Sequence, residues 1–171
     1  LMPDYFHFLL SGEQANEYTD ASTGALLNVV ARTWDAEVLA AAGIPPSLFP
    51  DPPAQPGTSL GRLRPKVADE IGFSCEVVLP ATHDTGSAYM AVPALDDNAV
   101  FLSSGTWSLL GVENDEPIVS DEARLAGFTN EGGYGGKIRF LRNIMGLWML
   151  QCIRRELGGG LTYAELAERQ E

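Results

Sequence analysis

Cysteine is scarce: 171 residues hold two, Cys75 and Cys152, far apart and without C-x-x-C spacing. That excludes a disulfide framework and a zinc knuckle, suits a reducing compartment, and leaves both thiols expected as small core residues. Histidine is as rare, with His7 and His83 alone, so no multi-histidine metal site can be assembled. Lys and Arg number 11 against 23 acidic residues, a net charge of -12, and Arg154-Arg155 is the one basic cluster. Such a chain repels a nucleic-acid backbone, and a bound polyanion must be met locally by backbone amides, a metal ion or one or two basic residues. No apolar run approaches the ~18 residues that span a bilayer, and no basic, apolar, small-residue pattern resembles a signal peptide, so a cytoplasmic protein without a membrane partner is expected. The absence of a G-x-S-x-G elbow weakens a serine-hydrolase reading, and there is no internal repeat.

What remains is 45% hydrophobic and 20% charged, enough for one good core or two small ones. The most informative stretch is Pro80-Ala81-Thr82-His83-Asp84-Thr85-Gly86-Ser87-Ala88. It follows the β-like run Val77-Val78-Leu79 and leads into Ala88-Tyr89-Met90-Ala91-Val92, a possible helix that Pro93 disfavours continuing. A carboxylate at a strand-to-helix turn, followed by small residues, is a common way for an α/β enzyme to present a polar group to a ligand. Asp84 is therefore a candidate for chemistry, and equally a helix N-cap.

Elsewhere the pattern predicts a short buried helix after Pro3, closed by Gly12. The run Leu26-Leu27-Asn28-Val29-Val30 is either extended or a last helical turn. Asp35 caps a helix through Ala42, residues 44–50 form a Pro-rich connection, and 51–61 read as a surface loop. A helix over 66–71 and a strand over 76–79 precede Asp84. Two β-rich runs, 99–103 and 107–112, flank Ser104-Gly105-Thr106 as a hairpin, and an acidic loop covers 113–122. A β-like run at 127–130, a half-buried strand over 137–143, a helix over 147–157 ended by Gly158-Gly159-Gly160, and a Thr162/Glu165 capping box complete the chain. The turn Asp96-Asp97-Asn98 is the best domain boundary.

The Ser103-Ser104-Gly105-Thr106-Trp107-Ser108 turn could cradle phosphate oxygens, or its serines could simply replace lost backbone bonds. Phe128-Thr129-Asn130-Glu131-Gly132-Gly133 is a ligand loop or a bulged turn. Asn143 at a strand end and Gln151 on an otherwise apolar helix are amides that point to a ligand or sit satisfied at an interface. Residues 158–160 lack the strand and spacing of a nucleotide loop and read as a linker.

Taken together and in order, Ala81-Thr82-His83-Asp84-Thr85, Leu102-Ser103-Ser104-Gly105-Thr106-Trp107-Ser108-Leu109-Leu110-Gly111, Phe128-Thr129-Asn130-Glu131-Gly132-Gly133 and Arg142-Asn143-Ile144-Met145-Gly146-Leu147-Trp148 resemble the FGGY carbohydrate kinase family. Pro3-Asp4-Tyr5-Phe6, Asn16-Glu17-Tyr18-Thr19, Thr33-Trp34-Asp35 and Gly43-Ile44-Pro45 extend the resemblance over essentially the whole chain. It implies an α/β, actin-like (ribonuclease-H-like) ATPase fold, present in part. Residues 1–95 are expected as the C-terminal part of the first kinase domain, on the sugar side, and 96–171 as the N-terminal part of the second, on the ATP side. The family's phosphate loop and adenine loop are not in this sequence, so a central fragment, inactive and only marginally stable alone, is expected.

The implied reaction is transfer of the ATP γ-phosphoryl group, with Mg2+, to a ketose, namely L-rhamnulose in L-rhamnose catabolism. By the same resemblance Asp84 is the general base, His83, Thr85 and Asn143 contact the sugar, Thr106 and Gly105 contact ATP phosphates, and Gln151 lies on the ATP side. No metal ligand is implied within these residues. Another sugar kinase of the family, or a non-catalytic sugar-binding module, are the alternatives.

Overall fold

A computed structural model describes residues 1–49, 51–96, 98–160 and 162–168. Pro3 in the first turn and Gly12 just past the last one bound α1 (Met2–Ser11), with Gly12 at φ 87 donating its amide to the Phe8 carbonyl. The helix is where the pattern puts it, but it is not buried. Tyr5 and Phe6 are more than half exposed, Leu9 and Leu10 more than a third, and Asp4 is its buried residue.

Glu17 caps α2 (Tyr18–Ala21) by accepting from the Thr19 and Asp20 amides. The ambiguous run resolves as extended, since β1 (Leu27–Asn28) pairs antiparallel with β2 (Thr33–Trp34). Asp35 caps α3 (Ala36–Ala41) through the Glu37 and Val38 amides, as its position before an apolar run predicts. The expected loop over 51–61 needs correction at its end. β3 (Ser59–Arg62) pairs with β4 (Glu76–Val78) around α4 (Pro65–Ile71), and a strand with one apolar residue carries no periodic signal. From β4 the chain passes through residues 79–83 into α5 (Asp84–Ala91), which begins four residues before the expected helix.

The later residues form one antiparallel sheet of β5 (Phe101–Ser104), β6 (Trp107–Asn114), β7 (Thr129–Gly132) and β8 (Ile138–Met145), in the order β5-β6-β8-β7. The expected hairpin is there, closing on the Ser104–Ser108 pair. One expectation fails locally. The end of the acidic loop gives way to α6 (Asp121–Leu125), capped by Ser120, and the β-like run expected at 127–130 is the strand β7, which excludes the bulged-turn alternative for the residues after it. α7 (Leu147–Glu156) and α8 (Tyr163–Glu168) follow, the latter with the expected reciprocal Thr162–Glu165 capping box. Pro50, Asp97 of the expected boundary turn, Leu161 and residues 169–171 lie outside the described residues.

Directly opposed residues in a sheet share a face, so the registers define three rows beneath α5. Ser103, Leu109 and Asn143 form the first, Phe101, Gly111 and Leu141 the second, and Glu113, Arg139 and Glu131 the third. The middle row is the core: Tyr89 of α5 stacks on Phe101, ring centroids 4.4 Å apart, and both pack with Leu141. Gly111 lets the backbones close here, since an added Cβ would sit 2.6 Å from the Leu141 Cα. Gly111→Ala is therefore expected to destabilise the protein by about 3 kcal/mol, read from a denaturant midpoint. An unchanged midpoint would show that β6 and β8 can separate freely.

The accessible surface is 11083 Å², about a third more than a folded monomer of this mass exposes. Much of the excess is apolar, including Leu102 and Leu110 on the outer sheet face and Leu147, Leu150 and Ile153 on α7. The thiols also depart from expectation, for Cys75 is exposed and Cys152 half-exposed.

Candidate functional site

Burial of α2 against the turn before α5 positions the site. The Glu17 carboxylate, fully buried, accepts five hydrogen bonds: from the Thr19 amide and hydroxyl, the Asp20 amide, and the Thr82 amide and hydroxyl, at 2.6–3.1 Å. Five donors replace the water lost on burying the charge. The Thr19 hydroxyl in turn accepts from the His83 amide at 3.2 Å. A single side chain thus holds the segment that delivers His83 and Asp84. Gly86 completes the contact, and what approaches it is the Thr19 side chain rather than open space.

Asp84 is the first residue of α5, not its cap; that position belongs to His83, whose side chain makes no capping bond. Asp84 Oδ1 accepts from the Thr85 amide at 2.7 Å, and the carboxylate benefits from the positive end of the helix. Its side chain, with His83 Nε2 at 3.8 Å, is 96% exposed, so it is available to a ligand.

An open cleft of about 620 Å³ lies in front of it. Expected residues His83, Asp84, Thr85, Gly105, Thr106 and Asn143 all line this cleft, together with Ser103, Ser104, Trp107 and Leu109. Thr85 is nevertheless nearly buried, with its hydroxyl 3.4 Å from Asp84. Gln151 is not among the lining residues; it lies farther along α7, partly buried. The Ser104-Gly105-Thr106 turn is fastened to the start of α7, where the Leu147 and Trp148 amides donate to the Gly105 and Thr106 carbonyls. The positive end of that helix therefore backs a turn carrying exposed hydroxyls, an arrangement that favours an anion.

Four further residues belong to the site: Glu131, from the Phe128-Thr129-Asn130-Glu131-Gly132-Gly133 stretch read as a ligand loop or a turn, and Glu17, Thr23 and Arg139, which sequence patterning did not single out. Thr23 and Glu131 line the cleft. Arg139 is fully buried, donates from Nε to the Gly132 carbonyl at 2.8 Å, and approaches Glu131 at 3.2 Å and His83 Nδ1 at 3.1 Å. Burial pushes its pKa down from the ordinary arginine value against the pull of Glu131, Tyr89 and Glu113, while burial pushes the Tyr89 phenol up to about 12. Gly132 permits this packing, because a Cβ there would meet the Tyr18 ring. A clue existed in the alternation of β8, where Arg139, Leu141 and Asn143 share one face.

Residues 1–91 match the N-terminal domain, and residues 100–170 the C-terminal domain, of the FGGY family of carbohydrate kinases. The chain belongs to this family. It is 51% identical over 168 residues to the rhamnulokinase of Halalkalibacterium halodurans, covering 98% of this chain and 36% of that protein. The rhamnulokinase of Oceanobacillus iheyensis is 46% identical, covering 98% and 35%. The chain thus spans about a third of the length of these curated FGGY relatives. Among solved structures, the ligand-bound xylulose kinase of Lactobacillus acidophilus superimposes with a TM-score of 0.76 at 20% identity, over 96% of this chain and 33% of that one. The fold is that of the actin-like FGGY kinases, as the motifs imply. Among the described residues no helix is long and apolar enough to cross a membrane.

Proposed function

We propose that the full-length protein containing this chain phosphorylates L-rhamnulose with ATP, giving L-rhamnulose 1-phosphate and ADP. The observation that carries this reading is the single cleft in which an exposed carboxylate, Asp84, faces the same space as the hydroxyl-bearing Ser104-Gly105-Thr106 turn. Support for the sugar comes from the rhamnulokinase relatives at 46% and 51% identity.

Asp84 takes the proton of the attacking hydroxyl as its oxygen bonds to the γ-phosphorus and the bond to the ADP oxygen breaks. Little covalent work falls to the protein in such a transfer, so orientation and charge placement dominate. The Thr85 amide holds Oδ1 of Asp84, and His83 and Asn143 flank the position of the ketose. Thr106 and Gly105 face the phosphates, with Gln151 farther along the ATP side. Magnesium enters only as the companion of ATP. It would be held chiefly by the nucleotide phosphates and water, with at most one or two carboxylates from the protein.

The division into a sugar-side part, residues 1–95, and an ATP-side part, 96–171, belongs to the same proposal. So does a cytoplasmic location, where ATP is available, without nucleic-acid or membrane partners. A coupled ADP-release assay on the full-length protein tests the sugar: kcat/KM is expected to be highest with L-rhamnulose and at least about tenfold lower with xylulose, because mismatched hydroxyls leave polar groups unpaired. Preference for xylulose would overturn the substrate while leaving phosphoryl transfer standing.

A further inference from the structure

We propose that Arg139 is a positioning residue that fixes the His83 ring with Nδ1 as acceptor and Nε2–H turned toward Asp84. A guanidinium has donors and no acceptor, so in the 3.1 Å hydrogen bond with Arg139 Nη1 the Nδ1 atom of His83 is the acceptor, while its other neighbour, the Glu131 carboxylate, stands off at 3.8 Å. The ring proton then sits on Nε2, the nitrogen that lies 3.8 Å from Asp84 Oδ1. His83 is held at both ends, by Arg139 on the ring and by the Thr19 hydroxyl on its amide.

Packing alone does not call for this arrangement. A buried guanidinium carries a desolvation cost that an apolar residue of similar volume avoids. Here the strand registers place Glu131 and Glu113 on either side of Arg139, and the Gly132 carbonyl takes Nε–H. The charge is held between two strands, with Nη1 directed at the histidine and Nη2 beside the Glu131 carboxylate at 3.2 Å.

The consequence is chemical, and it builds on the reading of Asp84 as base. A hydroxyl entering the cleft offers one proton and lone pairs. Asp84 accepts the proton, and His83 Nε2–H donates to the oxygen. With the other tautomer, two acceptors would face each other and the hydroxyl could satisfy only one.

The test is nitrogen-15 NMR of histidine-labelled full-length protein, with the His83 signals assigned by their loss in His83→Gln. Wild type is expected to show an unprotonated Nδ1 and a protonated Nε2. In Arg139→Met the Nδ1–H tautomer appears and the sugar KM rises roughly tenfold, with the ATP KM unchanged; Arg139→Lys, which keeps a donor, recovers part of both. A proton on Nδ1 in wild type overturns the proposal, as does an Arg139→Met protein with the wild-type signature and sugar KM. Should Arg139→Met fail to fold, the wild-type spectrum decides alone. Full turnover in Asp84→Asn would reject the base and leave the histidine result to stand or fall by itself.

Discussion

Asp84→Asn in the full-length protein is expected to lower kcat by about 10²–10⁴-fold, with the sugar KM changed by less than threefold or so. The geometry separates this from a folding effect. With 96% of the Asp84 side chain exposed and only Thr85 hydrogen-bonded to it, asparagine keeps the oxygen that accepts the 2.7 Å bond and loses only the basic charge. Thermal unfolding should therefore match wild type. Initial rates of ADP release, together with sugar binding by calorimetry, check both halves. Near-normal turnover would remove Asp84 from the chemistry, and a large loss of stability would make its role structural.

The second large effect is on stability. Glu17→Ala removes the acceptor of five hydrogen bonds, uncaps α2, and leaves the Thr19 and Thr82 donors facing a cavity rather than water. A loss of about 3–5 kcal/mol is expected, with Glu17→Gln intermediate because the amide keeps one acceptor oxygen. Activity should fall with it, since Thr82 and the His83 amide are the anchors of the segment before Asp84. Denaturant unfolding of both variants provides the measurement. A midpoint within error of wild type for Glu17→Ala would mean that water replaces the carboxylate and that the site is held by other contacts.

Position in the sequence concealed these residues for a physical reason. Glu17 precedes a four-residue helix and reads as one more capping residue, yet its decisive partner is Thr82, 65 positions away. Arg139 occupies what alternation with Ile138 and Phe140 reads as the solvent side of a half-buried strand; α5 covers that side instead, and Tyr89 and His83 close over it. α1 errs the other way. Its apolar face predicts burial, but β3 and β4 touch the helix without covering Tyr5 and Phe6.

The turn at Thr82-His83-Asp84-Thr85, the Ser104-Gly105-Thr106 hairpin, the Asp35 cap and the Thr162–Glu165 capping box were all determined by the sequence alone. Each depends on dihedral preferences and hydrogen bonds among residues within a few positions, which local chemistry settles. The order of the motifs along the chain likewise points to the FGGY kinases. Only the tertiary structure decided that Asp84, the hydroxyl turn and Asn143 share one cleft, that Glu17 anchors the approach to it, and that Arg139 lies under His83. Those facts rest on strand register and on the packing of α5 over the sheet. Such pairings join residues tens of positions apart, where no periodicity reaches.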